Sequence, residues 1–416
     1  MNTLNIHEHA EYAYSIIKKI CEEVGPGCPG SPQERARAMI VKDELEKVTN
    51  NVAFENFTFA PNAFLGWYRL SGGLIIFSLV CFYLSLLNTA PLAFAILAFG
   101  VALLIFLIME FEFLYSREFT DRFYKKRGST NVIGRIGPKE GDETKRILIF
   151  SGHHDSALQF TWLRHLKSGF YVTVMVTAVA VMVLVVSTAI HLISVAFSLI
   201  DAWNVSFVTV LSWTVFPAGI IFGMFFTERG HDGGRVPGAV DNLSGVTLAI
   251  AVARVLKAYP DIHPPYTEIR IISFGAEEAS VRGSRAYVHR HLAELKDHDA
   301  VCINFESIVH PEIIIYKSDL NGSLKFDLKT VATVAEAAKQ AGVPYSVKPF
   351  SFGGAGTDAL SFGRAGLKAT SLCSLKPRSD LLSFYHQEFD TPDKVNLVAL
   401  QNVLQIVIEY LKAFNH

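Results

Sequence analysis

The chain has 416 residues, with 38 Lys and Arg against 39 Asp and Glu and a formal net charge of −1, so no global field favours nucleic acid. Hydrophobic residues make up 50%, charged residues 19%, and mean hydropathy is +0.29, which is too apolar for a plain soluble enzyme and points to membrane spans. The five cysteines (Cys21, Cys28, Cys81, Cys302, Cys373) are scattered without zinc-finger spacing and fit a reduced compartment.

The polar, mixed-charge N-terminus lacks a signal-peptide pattern. Apolar spacing at Tyr12, Ile16, Ile17 and Ile20 predicts a helix over 7–23. After the turn cluster Gly25-Pro26-Gly27-Cys28-Pro29-Gly30, Ser31, Pro32 and Glu34 read as N-cap, N1 proline and capping-box acid of a helix to about Val48. Residues 52–59 alternate like a strand.

Leu70 to Met109 is a run of 40 positions without a charge, room for two membrane helices broken at Asn88-Thr89-Ala90-Pro91. The strands STNVIGRIG and RILIFSG follow. Ser168 to Ile200 is another uncharged run of 33, and Ala202 to Thr227 one of 26, separated by Asp201. The reading is four transmembrane helices in two hairpins, 70–115 and 168–227. They interrupt one soluble domain made of 1–69, 116–167 and 228–416. Neither hairpin turn carries Lys or Arg. The opposite ends carry Arg69, Arg117, Arg122, Lys125, Lys126, Arg127, Arg164, Lys167 and Arg229, which places the soluble domain on the cytoplasmic side.

Beyond Glu228 the pattern predicts helix 242–258, strand 267–274, helix 282–296, strands 300–306 and 312–316, helix 323–342, strand 345–349, helix 357–364, strand 368–372 and helix 394–413. This alternation implies an α/β fold with a mixed, largely parallel sheet flanked by helices.

Acids and histidines collect at the ends of these strands. Strand 267–274 runs through Gly275-Ala276 into Glu277-Glu278. Adjacent acids repel, so local structure does not select them; a cation beside them would, with one acid as ligand and the other handling protons. RILIFSG runs into His153-His154-Asp155, a His-x-Asp spacing that places a metal ligand and a residue to orient it on one side. Asp241 stands at a helix start, where by itself it reads as an N-cap. Glu306 ends the strand CINFE, and His386 lies in a loop before the last helix. Singly, each has an ordinary structural explanation. Together they make a ligand set for two divalent metals, with zinc suited to mixed imidazole and carboxylate ligation and manganese or cobalt as alternatives.

The segments GPGCPGSPQERARAMI, STNVIGRI, SGHHDSA, GAVDNLSGV, FGAEEASVRGSRAY, INFES, GTDALSFGRAG and YHQEFDTPDKV, in this order, resemble the M28 family of zinc aminopeptidases. The resemblance implies that His153 and Glu306 hold one zinc, that Glu278 and His386 hold the other, and that Asp241 bridges them. It implies Glu277 as general base and Asp155 as the group orienting His153. Glu306 stands where many members have Asp. The place before Thr357-Asp358, where some relatives have a tyrosine, is Gly-rich here, leaving Tyr385 as the candidate oxyanion or substrate contact and the Gly-rich loop as a candidate lid.

The implied function is cleavage of an amide or peptide bond by an aminopeptidase or dipeptidase. The alternatives are an amidohydrolase or aminoacylase acting on N-acylated amino acids or amide-bearing lipids, and a noncatalytic scaffold. Glutaminyl cyclisation is a weaker variant, because relatives with that activity typically use one zinc and lack a counterpart of His153. Asp155 lies 13 residues before Ser168 and Asp241 lies 14 after Thr227, so the ligand loops are tethered to the second hairpin and the site is expected to face the bilayer surface. That tether admits either a simple anchor or a route for a hydrophobic, membrane-derived substrate. Oligomeric state is not encoded in these features.

Overall fold

The structure is a computed structural model that describes residues 5–86, 90–140, 143–197, 223–228, 234–350, 356–376 and 379–414. The chain divides into two compact units, one of residues 1–61, 126–159 and 230–416, the other of 62–125 and 160–229.

The first unit is built on a nine-stranded sheet in the order β1-β2-β4-β3-β5-β9-β6-β7, with β8 paired to β6. The strands are β1 (Val52–Phe59), β2 (Arg127–Ile136), β3 (Arg146–His153), β4 (Thr267–Phe274), β5 (Val301–Glu306), β6 (Ile313–Asp319), β7 (Leu324–Lys325), β8 (Tyr345–Pro349) and β9 (Lys368–Cys373). The central block β4-β3-β5-β9 is parallel. Its strands are buried along nearly their whole length, as expected where helices cover both faces. β1 and β2 pair antiparallel, as do β2 with β4 and β6 with both β7 and β9. The sheet is therefore mixed, and its flanks are more antiparallel than the largely parallel sheet predicted. Side-chain period identifies a strand but not its direction relative to a neighbour.

The longer helices of this unit are Ile6–Glu23, Pro32–Glu46, Ser244–Ala258, Arg282–Asp297, Leu328–Gln340 and Leu397–Phe414, with Ala359–Arg364 and Asp380–Ser383 as short ones. Most predicted elements agree to within a few residues. One exception is the predicted helix 323–342, whose first residues form β7 and whose helix starts at Leu328, capped by the Asp327 side chain. Parallel strands β4, β3 and β5 end side by side, so Phe274, His153 and Glu306 reach one rim, the edge at which open α/β sheets carry their sites. At that rim a Cβ on Gly152 would lie 2.7 Å from the Val246 nitrogen, so only glycine lets β3 approach helix Ser244–Ala258 this closely.

The second unit contains three long helices among the described residues: Ala63–Leu86; Pro91–Ile108, continued by a π-helical turn Met109–Leu114; and Gly169–Phe197. The first starts ahead of the predicted boundary at residue 70 and includes Arg69, whose Nη2 donates to the Thr227 and Glu228 carbonyls at 3.1 Å. The predicted fourth span, 202–227, lies outside the described residues except for 223–227. Small and hydroxyl side chains face inward, among them Ser71, Ser78, Ser85, Ala98, Ala102, Ala180 and Thr188. Ser78 Oγ donates to the Ala98 carbonyl at 2.9 Å, and Ser85 Oγ lies 2.7 Å from His191 Nε2. Large apolar side chains such as Ile76, Phe77, Ile96, Val172, Met175 and Val179 face outward.

Among the described residues five helices are long and apolar enough to cross a membrane. Two of them, Ala239–Ala258 and Leu397–Phe414, belong to the first unit, and the apolar window of Ala239–Ala258 is 94% buried there. It is a core helix covering the sheet.

Candidate metal centre

The backbone at the rim is shaped before any side chain reaches inward. Ala276 has φ 53°, Ser307 φ 47° and His386 φ 50°, left-handed positions uncommon for non-glycine residues. Each stands at or beside a predicted site residue, so the chain bends sharply just where Glu277-Glu278, Glu306 and His386 point inward. Asp241 is not in a helix. Its φ of −111° and ψ of 89° are extended, the helix begins at Ser244, and the Asp241–Asn242 peptide is cis. The N-cap reading of Asp241 is corrected accordingly: its carboxylate faces the imidazoles.

All five predicted ligands come together. His153 Nε2 lies 3.4 Å from Asp241 Oδ1 and 3.7 Å from Glu306 Oε1. His386 Nε2 lies 3.2 Å from Asp241 Oδ2 and 3.4 Å from Glu278 Oε2. Asp241 thus turns one oxygen to each imidazole. Two three-residue clusters result, His153-Asp241-Glu306 and Asp241-Glu278-His386, each with donor atoms within 4.8 Å of one another. The edge of a zinc tetrahedron with bonds of 2.0–2.1 Å is about 3.3 Å, close to these separations. His153, Glu277 and Glu278 form a third such cluster, because Glu277 Oε2 lies 3.6 Å from His153 Nε2.

The electrostatics also fit a cation. Burial raises the proton affinity of Glu277, strengthened by the charges of Asp358, Glu306 and Glu278 and opposed by His153. Burial raises Glu278, with Asp241 adding to the shift and His386 opposing it, and pushes Glu306 up to about 7. Burial works against charge on His386, but the Glu278 and Asp241 carboxylates outweigh it and raise it to about 10. Crowded carboxylates around two imidazoles are what divalent ions neutralise. Glu278 Oε1 is buried without a hydrogen-bond partner, a donor atom still to be satisfied. The residues present therefore fit two divalent ions.

Asp155 does more than the predicted orientation of an imidazole. Its Oδ1 lies 3.5 Å from His153 Nδ1, which suits that role. The same carboxylate accepts the backbone N–H of Glu277 at 3.1 Å and of Glu278 at 3.0 Å. One buried acid thus registers both strand ends. Tyr385 stacks on His386 with ring centroids 3.9 Å apart and planes 17° apart.

Other supporting groups were not anticipated. Asn242 and Asn304 each donate to Glu306 Oε2 at 3.3 Å, and Ser307 Oγ donates to Glu306 Oε1 at 3.3 Å, so the longer Glu side chain is held from both ends. Asp390 accepts the N–H groups of Val240 at 2.7 Å and Asp241 at 3.1 Å. Glu34 does not close the predicted capping box. Ser31 Oγ accepts the Glu34 N–H at 3.0 Å, but the Glu34 carboxylate accepts from Gly30 N, Ser129 Oγ and Ala276 N, each at 2.8 Å. Arg37 is fully buried and donates to the carbonyls of Gly25, Pro237 and His154. The missed signal is positional: Glu34 and Arg37 share the helical face of Ala38, Val41 and Leu45, where a solvated charge has no place. Asp358 is buried, and burial pushes it up to about 8, opposed by His153 and by the nearby Ser284 hydroxyl.

Residues 224–411 match the family model described as Peptidase family M28. Aminopeptidase YwaD of Bacillus subtilis (strain 168) is 29% identical over 179 residues, 41% of this chain and 36% of its own length, so the match spans about a third of that relative. A zinc aminopeptidase structure from Bacillus subtilis superposes with TM-score 0.54 at 15% identity, over 97% of this chain and 95% of that one. A glutaminyl cyclase from Fimbriiglobus ruber does so with TM-score 0.55 at 13% identity, over 97% and 94%. These likenesses establish a zinc-aminopeptidase-like mixed sheet flanked by helices.

Proposed function

We propose that this chain is a membrane-integral metallohydrolase that cleaves an amide bond, an aminopeptidase or dipeptidase holding two divalent ions, zinc foremost. The observation that carries the reading is the Asp241 carboxylate, one oxygen turned to His153 and the other to His386. His153 and Glu306 would hold one ion, His386 and Glu278 the other, with Asp241 between them. When bound, the ions would polarise the substrate carbonyl and make water more acidic. Glu277 is the proton carrier, taking a proton from water and delivering it to the leaving nitrogen. Asp155 keeps that base in register through the Glu277 N–H, and Asn242 and Asn304 restrain Glu306. Tyr385, fixed by its stack on His386, is the candidate contact for charge developing on the carbonyl oxygen.

The outward-facing apolar side chains of the second unit support membrane integration, and the basic residues flanking the runs support a cytoplasmic catalytic domain. Fold likeness to glutaminyl cyclases favours cyclisation as a second reading; the paired imidazole and carboxylate clusters favour hydrolysis.

Purified full-length protein in detergent, assayed for metal content and against free-amino peptides, N-acylated amino acids, lipid amides and glutaminyl peptides, tests the proposal. Metal near two equivalents with turnover of free-amino peptides is the expected result. Turnover of N-acylated substrates alone would move the reading to an amidohydrolase, and cyclised product would favour the second reading.

A further inference from the structure

The second unit carries a feature that neither the metal centre nor a bare membrane anchor uses. Within the π-helical turn Met109–Leu114, Glu112 is fully buried, and its carboxylate accepts the Thr120 N–H at 2.8 Å and the Thr120 hydroxyl at 3.0 Å. The Arg117 N–H bonds back to the Phe111 carbonyl at 2.7 Å. The chain is thereby folded back onto the end of the helix it has just left. It is held from the other side as well. A Cβ on Gly66 would lie 2.9 Å from Tyr124 Oη, so the Tyr124 ring lies directly against the first turns of helix Ala63–Leu86. The segment from Arg117 to Tyr124 therefore spans the open end of the helical hairpin and is fixed at the level of both helix ends.

What it displays there is amphipathic. Arg117, Arg122, Phe123 and Lys125 are exposed, and Lys126 follows in the chain. Phe123 is 67% exposed, with the Arg122 guanidinium 4.9 Å from its ring centroid. Over 117–127 five basic residues stand against two acidic ones. The same helix ends carry an aromatic cluster: Phe113 lies 5.5 Å from Trp67, Tyr68 lies 4.6 Å from Phe226, and Trp162 lies 5.3 Å from Phe226. Trp67, Tyr68, Trp162 and Phe226 are buried in the unit's own core and brace the helix ends, so the exposed Phe123 ring and the basic side chains beside it carry the chemistry of a bilayer interface, where rings settle among headgroups and cations meet phosphate.

We infer that residues 117–126 form an interfacial collar that binds anionic phospholipid headgroups, with Arg122, Lys125 and Lys126 meeting the phosphates and Phe123 inserted at headgroup level. This inference rests on the reading that the apolar helices span a membrane. The collar would fix how deeply the hairpin sits and would make the protein select negatively charged lipid, not merely tolerate it.

Full-length protein in mild detergent is exposed to an equimolar mixture of phosphatidylglycerol and phosphatidylcholine, and bound lipid is measured by native mass spectrometry. The parent is expected to enrich phosphatidylglycerol. The combined Arg122→Gln, Lys125→Gln and Lys126→Gln variant should lower the anionic-to-neutral ratio about tenfold, with Phe123→Ala weakening retention of both lipids. A variant with Lys329→Gln, Lys339→Gln and Lys412→Gln, exposed cations of the first unit, should keep the parental ratio. An unchanged ratio in the first triple variant, or an equal loss in the second, overturns the inference. Alkaline carbonate extraction separates the two levels. Release of the parent from membranes removes the membrane reading and this inference together, whereas retention without anionic preference removes only this inference.

Discussion

The two units bury opposite things. The first hides Asp155, Asp241, Asp358, Asp390, Glu34 and Arg37 among its apolar core, each a charge that costs several kcal/mol unless neutralised or hydrogen-bonded. The second hides mainly alanine, hydroxyl and aromatic side chains, with Glu112 the buried carboxylate among its described residues, and turns Ile76, Val172, Met175 and Val179 outward. Charge inside such a core has to be hydrogen-bonded, as Glu34, Arg37 and Asp390 are, or neutralised. An apolar exterior over a small-residue interior is stable only where the surroundings are apolar too. The proposed membrane integration rests on the second half of this contrast, and the proposed metal centre on the first.

The sharpest way to break the contrast is Glu277→Gln. Hydrolysis should fall at least ~10³-fold while metal content by elemental analysis stays at the parental value. Loss of metal as well would make Glu277 a ligand, as its 3.6 Å approach to His153 permits. Next in size is Val179→Lys. Val179 is 50% exposed midway along helix Gly169–Phe197, and a lysine there should cost about 3 kcal/mol of insertion, read as a fall in the carbonate-resistant membrane fraction. In a water-facing helix the same change would be neutral. Asp390→Ala leaves the Val240 and Asp241 N–H groups without their acceptor and should destabilise the first unit by ~1–3 kcal/mol in urea unfolding, with weakened metal affinity.

The effect that is smallest at neutral pH, and grows only in acid, is one of titration. Burial pushes His154 down from 6.5 to about 3. Below pH 6.5 the unfolded chain takes up a proton that the folded chain refuses, so folding stability falls as pH drops from 6.5 toward 3. Relative to His154→Gln, the parent should lose about 1.4 kcal/mol per pH unit in that window and show no difference in slope above pH 7. Parallel stability curves across the window would show that His154 is not held neutral by the fold.

Much of the site was legible because several of its residues follow or end apolar runs. Glu277-Glu278 follows TEIRIISF, Glu306 ends VCINF, and His153 ends RILIFSG, so periodicity located the rim and residue chemistry named the occupants. The adjacent pair was the clearest mark, since two carboxylates side by side need a reason. The supporting groups were less legible. Glu34 satisfied a local capping pattern, and its connection to Ala276 across 242 positions follows only from packing. Asp390 and Asn304 resemble ordinary polar residues until the peptide groups and carboxylate they hold are brought beside them.

The sequence alone determined that this chain has long uncharged runs, an α/β remainder, and acids and histidines at its strand ends, because these are properties of neighbouring residues and their period. Tertiary structure decided which strands run antiparallel, that Asp241 leaves the helix to face both imidazoles, and that the Glu277-Glu278 pair hangs by its backbone from Asp155. Those outcomes depend on contacts between segments far apart in the chain, where one hydrogen bond across 122 positions fixes the position of a carboxylate that no local pattern could aim.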